Sequence, residues 1–332
     1  MRFNFASDVK SMVRLAALFI PLIAIEGAQP AVADQLSISQ YKLVTATLPW
    51  AVAEKEGMFK KAGLHIDKII SGAGGGSTLR NMLASDLPYG EVAMSAALAA
   101  IRAKVDIIIV NVASDNIGEI SLVTLPNSPI KSIADLAGKK VAFTNAKSTS
   151  ELLSRMAFAR AGLTGKVTLI PTGGFGPGLT ALDAGGVDAA PLTDPLLSLQ
   201  PKKYRPIFAY GTLVPRISWL VGVSTRKFAQ QHPNKLRKLI AVRREAVDFI
   251  YAHHNQAEKI YAEGWGAKLS DVKKFFPKYF SMKDLWSRGN FDKAGLDAMS
   301  QGLQMDGEIT APVDWSKAID QKYLPADLQK PF

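Results

Sequence analysis

Two glycine-rich turns carry the side chains with most scope for chemistry. In "LIPTGGFGPGLTALDAGGVDAAPLTDP" (residues 169–195), Gly176, Gly178 and Ala181 fit G-x-G-x-x-[G/A], and the stretch runs on to Asp194. That is the grammar of a dinucleotide-binding turn. The spacing argues against it. The first glycine of that fingerprint follows its strand almost at once, whereas residues 171–175 separate Ile170 from Gly176. The helix that follows, about 179–184, is also too short for a cofactor-binding crossover. The other turn, "GAGGGST" (72–78), lacks the lysine of a phosphate loop. What remains is simpler: glycine lets the chain turn sharply and lets a ligand approach the backbone. A helix starting just after such a turn offers free N–H groups and the positive end of its dipole. Ser77 and Thr78 open one helix, and Ser148, Thr149 and Ser150 open another. Ser148 and Glu151 make an S-x-x-E capping box, which leaves the N–H groups of Thr149 and Ser150 to a ligand. Asp194, after Pro191-Leu192-Thr193, sits where an acid would end a strand near a cleft.

Catalysis has little to work with. There is no G-x-S-x-G elbow and no H-E-x-x-H, and the four histidines are His65, His232, His253 and His254. Adjacent helical residues point about 100° apart, so the last pair shares a metal poorly. The chain has no cysteine, hence no disulfide and no thiolate metal site. No catalytic residue, no metal and no cofactor is expected.

The elements that must position these groups alternate. Short strands read at 43–47, 66–70, 90–95, 107–112 and 120–125, with helices after Pro49-Trp50 and through Leu79 and Leu83. A second series has strands at 140–144 and 167–170 around a helix at 151–161, then a strand at 219–224. Beyond Thr225 the pattern is mainly helical. Alternation of this kind indicates an α/β architecture with mainly parallel sheets. The stretches 69–95 and 169–194 both read as strand, glycine loop, short helix and small-residue strand, which suggests two lobes built alike.

The amino terminus sets the compartment. Arg2, Lys10 and Arg14 precede an apolar run at 15–25 and an A-x-A site, Ala31-Val32-Ala33. This reads as a secretory signal, residues 1–33, cleaved after Ala33. The run is too short to span a bilayer, which takes about 20 apolar residues. The remaining chain is expected to be periplasmic, with no membrane insertion. The formal net charge is +11, yet no block of five basic residues occurs, and export leaves nucleic acid an improbable partner.

Five segments in order carry a family signal: "LPWAVAEKEGMFKKAGLHID", "GAGGGST…GEVAMS", "SPIKSIADLAGKKVAFT", "STSELLSRMAFARAGL" and "LDAGGVDAAPLTDPL". Together with "GEITAPVDWSKAIDQKYLP" near the end, they resemble the nitrate/sulfonate/taurine branch of periplasmic solute-binding proteins of ABC transporters. The resemblance implies a type II periplasmic-binding fold, two α/β lobes joined by a two-strand hinge. One lobe would hold 34–122 and 222–332, the other 123–221, with crossings near 120–126 and 219–225. A monomer would close on a small molecule between the lobes and deliver it to an inner-membrane permease with its ATPase. Carried over position by position, the contacts would be Pro49, Trp50, Ser77, Thr78, Ser95, Thr144, Asn145, Thr149, Ser150, Gly174, Phe175 and Asp194. Arg80, Lys147 and Arg216 lie close enough in sequence to supply a cation. A small organic acid, a sulfonate or aromatic carboxylate, is expected ahead of nitrate or a neutral heterocycle. Related enzymes of thiamine-precursor synthesis rely on a cysteine-rich motif absent here. The alternative is a secreted enzyme or ligand-sensing receptor on the same fold.

Overall fold

The computed structural model describes residues 34–214 and 216–331. The signal segment of 1–33 lies outside them. Ten strands follow in chain order: β1 (Asp34–Ser39), β2 (Ile66–Gly72), β3 (Tyr89–Ala93), β4 (Ile107–Ser114), β5 (Ile120–Thr124), β6 (Lys140–Phe143), β7 (Thr168–Pro171), β8 (Ala190–Thr193), β9 (Arg205–Ala209) and β10 (Leu220–Thr225).

They make two groups. The first is a five-stranded sheet in the order β2-β1-β3-β10-β4. In it β1 runs parallel to β2 and β3, whereas β10 is antiparallel to both its neighbours. β4 reads IIIVNVAS and is buried along its whole length, the mark of a strand covered on both faces. Its outer edge is closed by a bridge from Ile109 to Ile319 and by the Asp320 N–H donating to the Ile109 carbonyl at 3.0 Å. In the second group β5 lies between β8 and β9, antiparallel to each, and β6 runs parallel to β7. A bridge from Val141 to Ala189, with the Ala142 N–H donating to the Ala189 carbonyl at 2.8 Å, ties β6 to the β8 end.

The chain passes between the groups twice, through residues 115–119 before β5 and 216–219 before β10. The expected crossings at 120–126 and 219–225 are therefore displaced: those residues form β5 and β10 themselves. Sequence pattern shows that a strand exists, but not which sheet its hydrogen bonds join. A second correction concerns 43–47. It is no strand: β1 ends at Ser39, a turn follows, and Thr45–Thr47 is a 3₁₀ helix leading into the helix Leu48–Lys55. The β-branched residues of "LVTAT" misdirect the reading. Pro49 in the first turn of the helix, where no N–H is needed, is the better guide.

Packing holds the first sheet to the carboxy-terminal helices. The helix Pro233–Ala252 buries Leu236, Leu239, Ile240, Val247 and Ile250. The same helix buries Arg243 at 1% exposure. Its guanidinium pairs with Glu91 on β3 and donates to the Ser287 carbonyl and, at 2.8 Å, to the Ala113 carbonyl. Each guanidinium nitrogen thus has an acceptor, which is the condition under which a buried charge is tolerated.

Candidate functional site

The two groups of strands meet around a small cavity of about 30 Å³. Its walls come from both sides. Ser39, Gln40, Val44, Gly74, Gly75 and Ala93 approach from the first sheet. Thr144, Ser148, Thr149, Ser150 and Phe175 approach from the second, and Ile120, Trp219 and Leu220 close the seam. Three helices begin at this cavity: Gly75–Leu83, Thr149–Arg160 and Phe175–Asp183. The first N–H groups of each have no acceptor within their own helix. Two nearly buried hydroxyls in the wall, those of Ser39 (6% exposed) and Thr149 (9%), make no hydrogen bond to the described chain. Among the described residues no charged side chain lines the cavity. The arrangement can hold a compact acceptor-rich group by neutral donors, with apolar contact from Phe175 and Trp219.

The glycines shape this meeting. A Cβ on Gly75 would stand 2.8 Å from the Cβ atoms of both Ala93 and Ala96, so only glycine lets the helix start so close to β3. A Cβ on Gly74 would meet the Asn145 amide nitrogen at 2.6 Å, across the seam.

The candidate residues divide. Thr144, Thr149, Ser150 and Phe175 line the cavity, and Gly174 caps the helix that Phe175 begins. The Ser150 hydroxyl lies 3.0 Å from that of Thr144 and 3.1 Å from that of Ser148, a bonded cluster that orients the loop. Ser148 caps its helix as expected, accepting from the Glu151 N–H at 3.3 Å. Asn145 and Ser95 act between the sheets instead of in the wall. The Asn145 amide donates to the Ala73 carbonyl at 3.2 Å and the Gly173 carbonyl at 3.3 Å, joining the two glycine loops. The Ser95 hydroxyl donates to the Lys147 carbonyl at 2.8 Å. Ser77 and Thr78 turn inward on their own loop, both donating to the Gly74 carbonyl.

Three residues stand elsewhere. Trp50 is fully buried in the core, stacked on Phe59 at 6.0 Å and edge-on to Tyr89 at 6.1 Å. Its position two residues into a helix turns its ring into the first sheet's core and away from the cavity. Pro49 beside it is a helix-start residue. Asp194 is consumed by Lys278, by the Tyr279 hydroxyl at 3.2 Å and by the Ser198 hydroxyl at 2.8 Å. The expected cations are engaged likewise: Arg216 lies among Asp115, Asp284 and Asp292, and Lys147 pairs with Glu308. Arg80 is exposed.

The sequence reading missed Ser39, Gln40, Val44, Ile120, Trp219 and Leu220. Ser39 ends a strand it did not identify, and Gln40 and Val44 follow it; the others lie at the crossings it displaced. Near the seam two carboxyls are buried. Glu119 is fully enclosed, and burial pushes its pKa up to about 7, although the Thr45 and Ala46 N–H groups, at 2.6 and 3.0 Å, pull it back. Asp115 is pushed up to about 6, again chiefly by burial, against a hydrogen bond from Ser218.

The sequence profile of the family described as NMT1/THI5 like matches residues 45–257. The chain belongs to this family. It is 24% identical over 263 residues to a protein of Bacillus subtilis (strain 168) provisionally named as aliphatic sulfonates-binding, covering 76% of this chain and 78% of the relative. The periplasmic aliphatic sulphonate binding protein SsuA from Escherichia coli superposes with a TM-score of 0.67 at 19% identity, over 90% of this chain and 96% of that one. The desulfurization enzyme DSZB superposes with a TM-score of 0.59 at 17% identity, over 87% and 97%. The fold is thus the α/β periplasmic-binding fold that the sequence implied, and it carries both binding proteins and an enzyme.

Proposed function

We propose that this chain is the extracytoplasmic solute-binding component of an ABC importer, taking a small organic anion of sulfonate or carboxylate type between its two lobes. The observation that carries this reading is the convergence of three helix N-termini and two unbonded hydroxyls on one cavity at the seam of the two sheets. Helix N-termini favour negative groups through free donors and dipole. The apolar wall of Val44, Phe175 and Trp219 suits an organic tail. The sulfonate-binding names among its relatives support the same class. In this reading the chain is exported, begins at Asp34 after cleavage, works in the periplasm as a monomer, and hands its ligand to a permease with its ATPase. One lobe holds the five-stranded sheet and the other the remaining strands, dividing at residues 115–119 and 216–219. The ligand is bound and released unchanged: among the described residues no carboxyl or imidazole lines the wall, and the Thr144, Ser148 and Ser150 hydroxyls are bonded to one another.

At about 30 Å³ the cavity has room for about two waters. An organic ligand therefore enters only when the lobes part. A thermal-shift panel of sulfonates, carboxylates, nitrate and neutral heterocycles tests the reading. A ligand at 100 times its dissociation constant adds about 2.7 kcal/mol of stability. Stabilisation by sulfonates or carboxylates is the expected result; stabilisation by cationic or neutral compounds alone overturns it.

A further inference from the structure

Among the described residues Gln40 is the one amide side chain in the cavity wall, and its geometry fixes which way the amide faces. It lies just past β1, 7% exposed, with a backbone φ of 56°, the left-handed region that non-glycine side chains seldom adopt. The turn needs that conformation: the Gln40 carbonyl accepts from the Leu43 and Val44 N–H groups at 2.9 and 3.1 Å, and its own N–H donates to the Gly72 carbonyl at 2.8 Å. A glycine would satisfy all three bonds with no steric cost, so the turn does not account for the side chain. The side chain nitrogen donates to the Ala73 carbonyl. A carbonyl is an acceptor only, so the NH₂ must face it, and the orientation of the amide is settled by chemistry. Oε1 is then left, and no group of the described chain donates to it.

We propose that Gln40 is a specificity-determining residue, whose Oε1 accepts a hydrogen bond from a hydroxyl, amine or amide on the ligand beside its anionic group. This rests on the reading of the cleft as an organic-anion site and narrows it. The rest of the polar wall consists of N–H donors and of hydroxyls, which turn to donate or to accept and so can satisfy themselves on an oxyanion alone. Oε1 can only accept. A ligand without a donor would leave it desolvated and unpaired in the closed cavity, and such a loss separates analogues far more sharply than a missing methylene does. Asn145 supports the same geometry from the other sheet, since its amide also donates to the Ala73 carbonyl and holds that acceptor in place.

The test compares ethanesulfonate with 2-hydroxyethanesulfonate by titration calorimetry, in the wild type and in Gln40→Gly. Glycine suits the left-handed backbone, so the variant removes the amide with the turn retained; circular dichroism and a melting curve check this. The wild type should bind the hydroxylated compound at least about tenfold more tightly, and the variant should bind the two within about twofold of each other. Gln40→Asn, also tolerant of this backbone, should keep part of the preference if Gly proves unstable. Equal binding of the two compounds by the wild type, or a preference that survives Gln40→Gly, overturns the proposal and leaves the anion site standing. Failure of every sulfonate and carboxylate to bind overturns both.

Discussion

A hydroxyl and an indole show how differently two candidate residues should behave. Thr149 presents an unbonded hydroxyl to the cavity at the head of a helix. Thr149→Ala should weaken ligand binding by about 0.5–1.5 kcal/mol, the worth of a neutral hydrogen bond, with the apo melting temperature almost unchanged. Trp50 sits against Phe59 and Tyr89 and far from solvent. Trp50→Ala should cost about 3–5 kcal/mol of stability in denaturant unfolding, because the core cannot refill the space. If the variant instead unfolds normally and loses only affinity, Trp50 belongs to the ligand after all. The contrast also marks what the sequence made legible at this scale. Residue type and a helix start were enough to find Thr149 and Ser150, whose role depends on local backbone alone. They were not enough for Trp50, Asp194 or Gln40. Whether an indole faces core or cleft depends on the roll of its helix. Whether Asp194 is free depends on Lys278, many residues away, and the conformation of Gln40 depends on hydrogen bonds to a neighbouring loop.

Among the elements, the segment 115–119 joins the two sheets and ends on the most constrained carboxyl near the cavity. Glu119 accepts from the Thr45 and Ala46 N–H groups of the 3₁₀ turn, and its own carbonyl accepts from the Asp194 N–H at 2.5 Å. It is faced by Asp194, Tyr261 and Tyr279, while Lys278 is bonded to Asp194. Two backbone donors without a cation do not offset its desolvation, so its pKa rises from the ordinary 4.5 to about 7. A group whose folded-state pKa is raised contributes stability that is complete below the unfolded pKa and lost as pH climbs through the folded one. For Glu119 that window runs from about pH 4.5 to about 7. The melting temperature of Glu119→Gln, measured against the wild type, should therefore improve steadily across it and level off above. A difference that stays constant from pH 4.5 to 8 would show that Glu119 does not titrate in the fold. The alternation of strands and helices was readable in the sequence, but this contact was not, because residues 45 and 119 stand far apart in the chain and meet only once the first sheet is assembled.

For the whole molecule the prediction is that the seam parts to admit ligand. The apolar core runs through both groups of strands, and Asp194 to Lys278 and Arg155 to Asp306 also cross between them; beside the glycine loops the bonds are polar. Lys147 reaches Glu308, which also holds Arg102 at 2.6 Å; Ser95 holds the Lys147 carbonyl; and Asn145 holds Ala73. The two cations of these pairs are exposed to solvent, and such pairs are worth little individually, about 0–1 kcal/mol, so they can close this part of the seam without locking it. A ligand bound only by the closed form shifts the balance by its own differential affinity. The absence of cysteine makes this measurable, since two introduced cysteines are the only sites a spin label can take. Lys60, between β1 and β2, and Lys166, just before β7, are exposed and lie on opposite sides of the seam. With both replaced by Cys and labelled, pulsed electron resonance should show a longer and a shorter distance in the free protein. The compound that stabilises the protein most in the thermal panel should collapse these to the shorter one. Lys147→Ala should raise the longer population in the free protein while leaving the liganded distance in place, because it removes a closing bond and no wall contact. One distance, unmoved by ligand and by Lys147→Ala, would mean that the cavity admits its ligand by side-chain motion in a rigid seam.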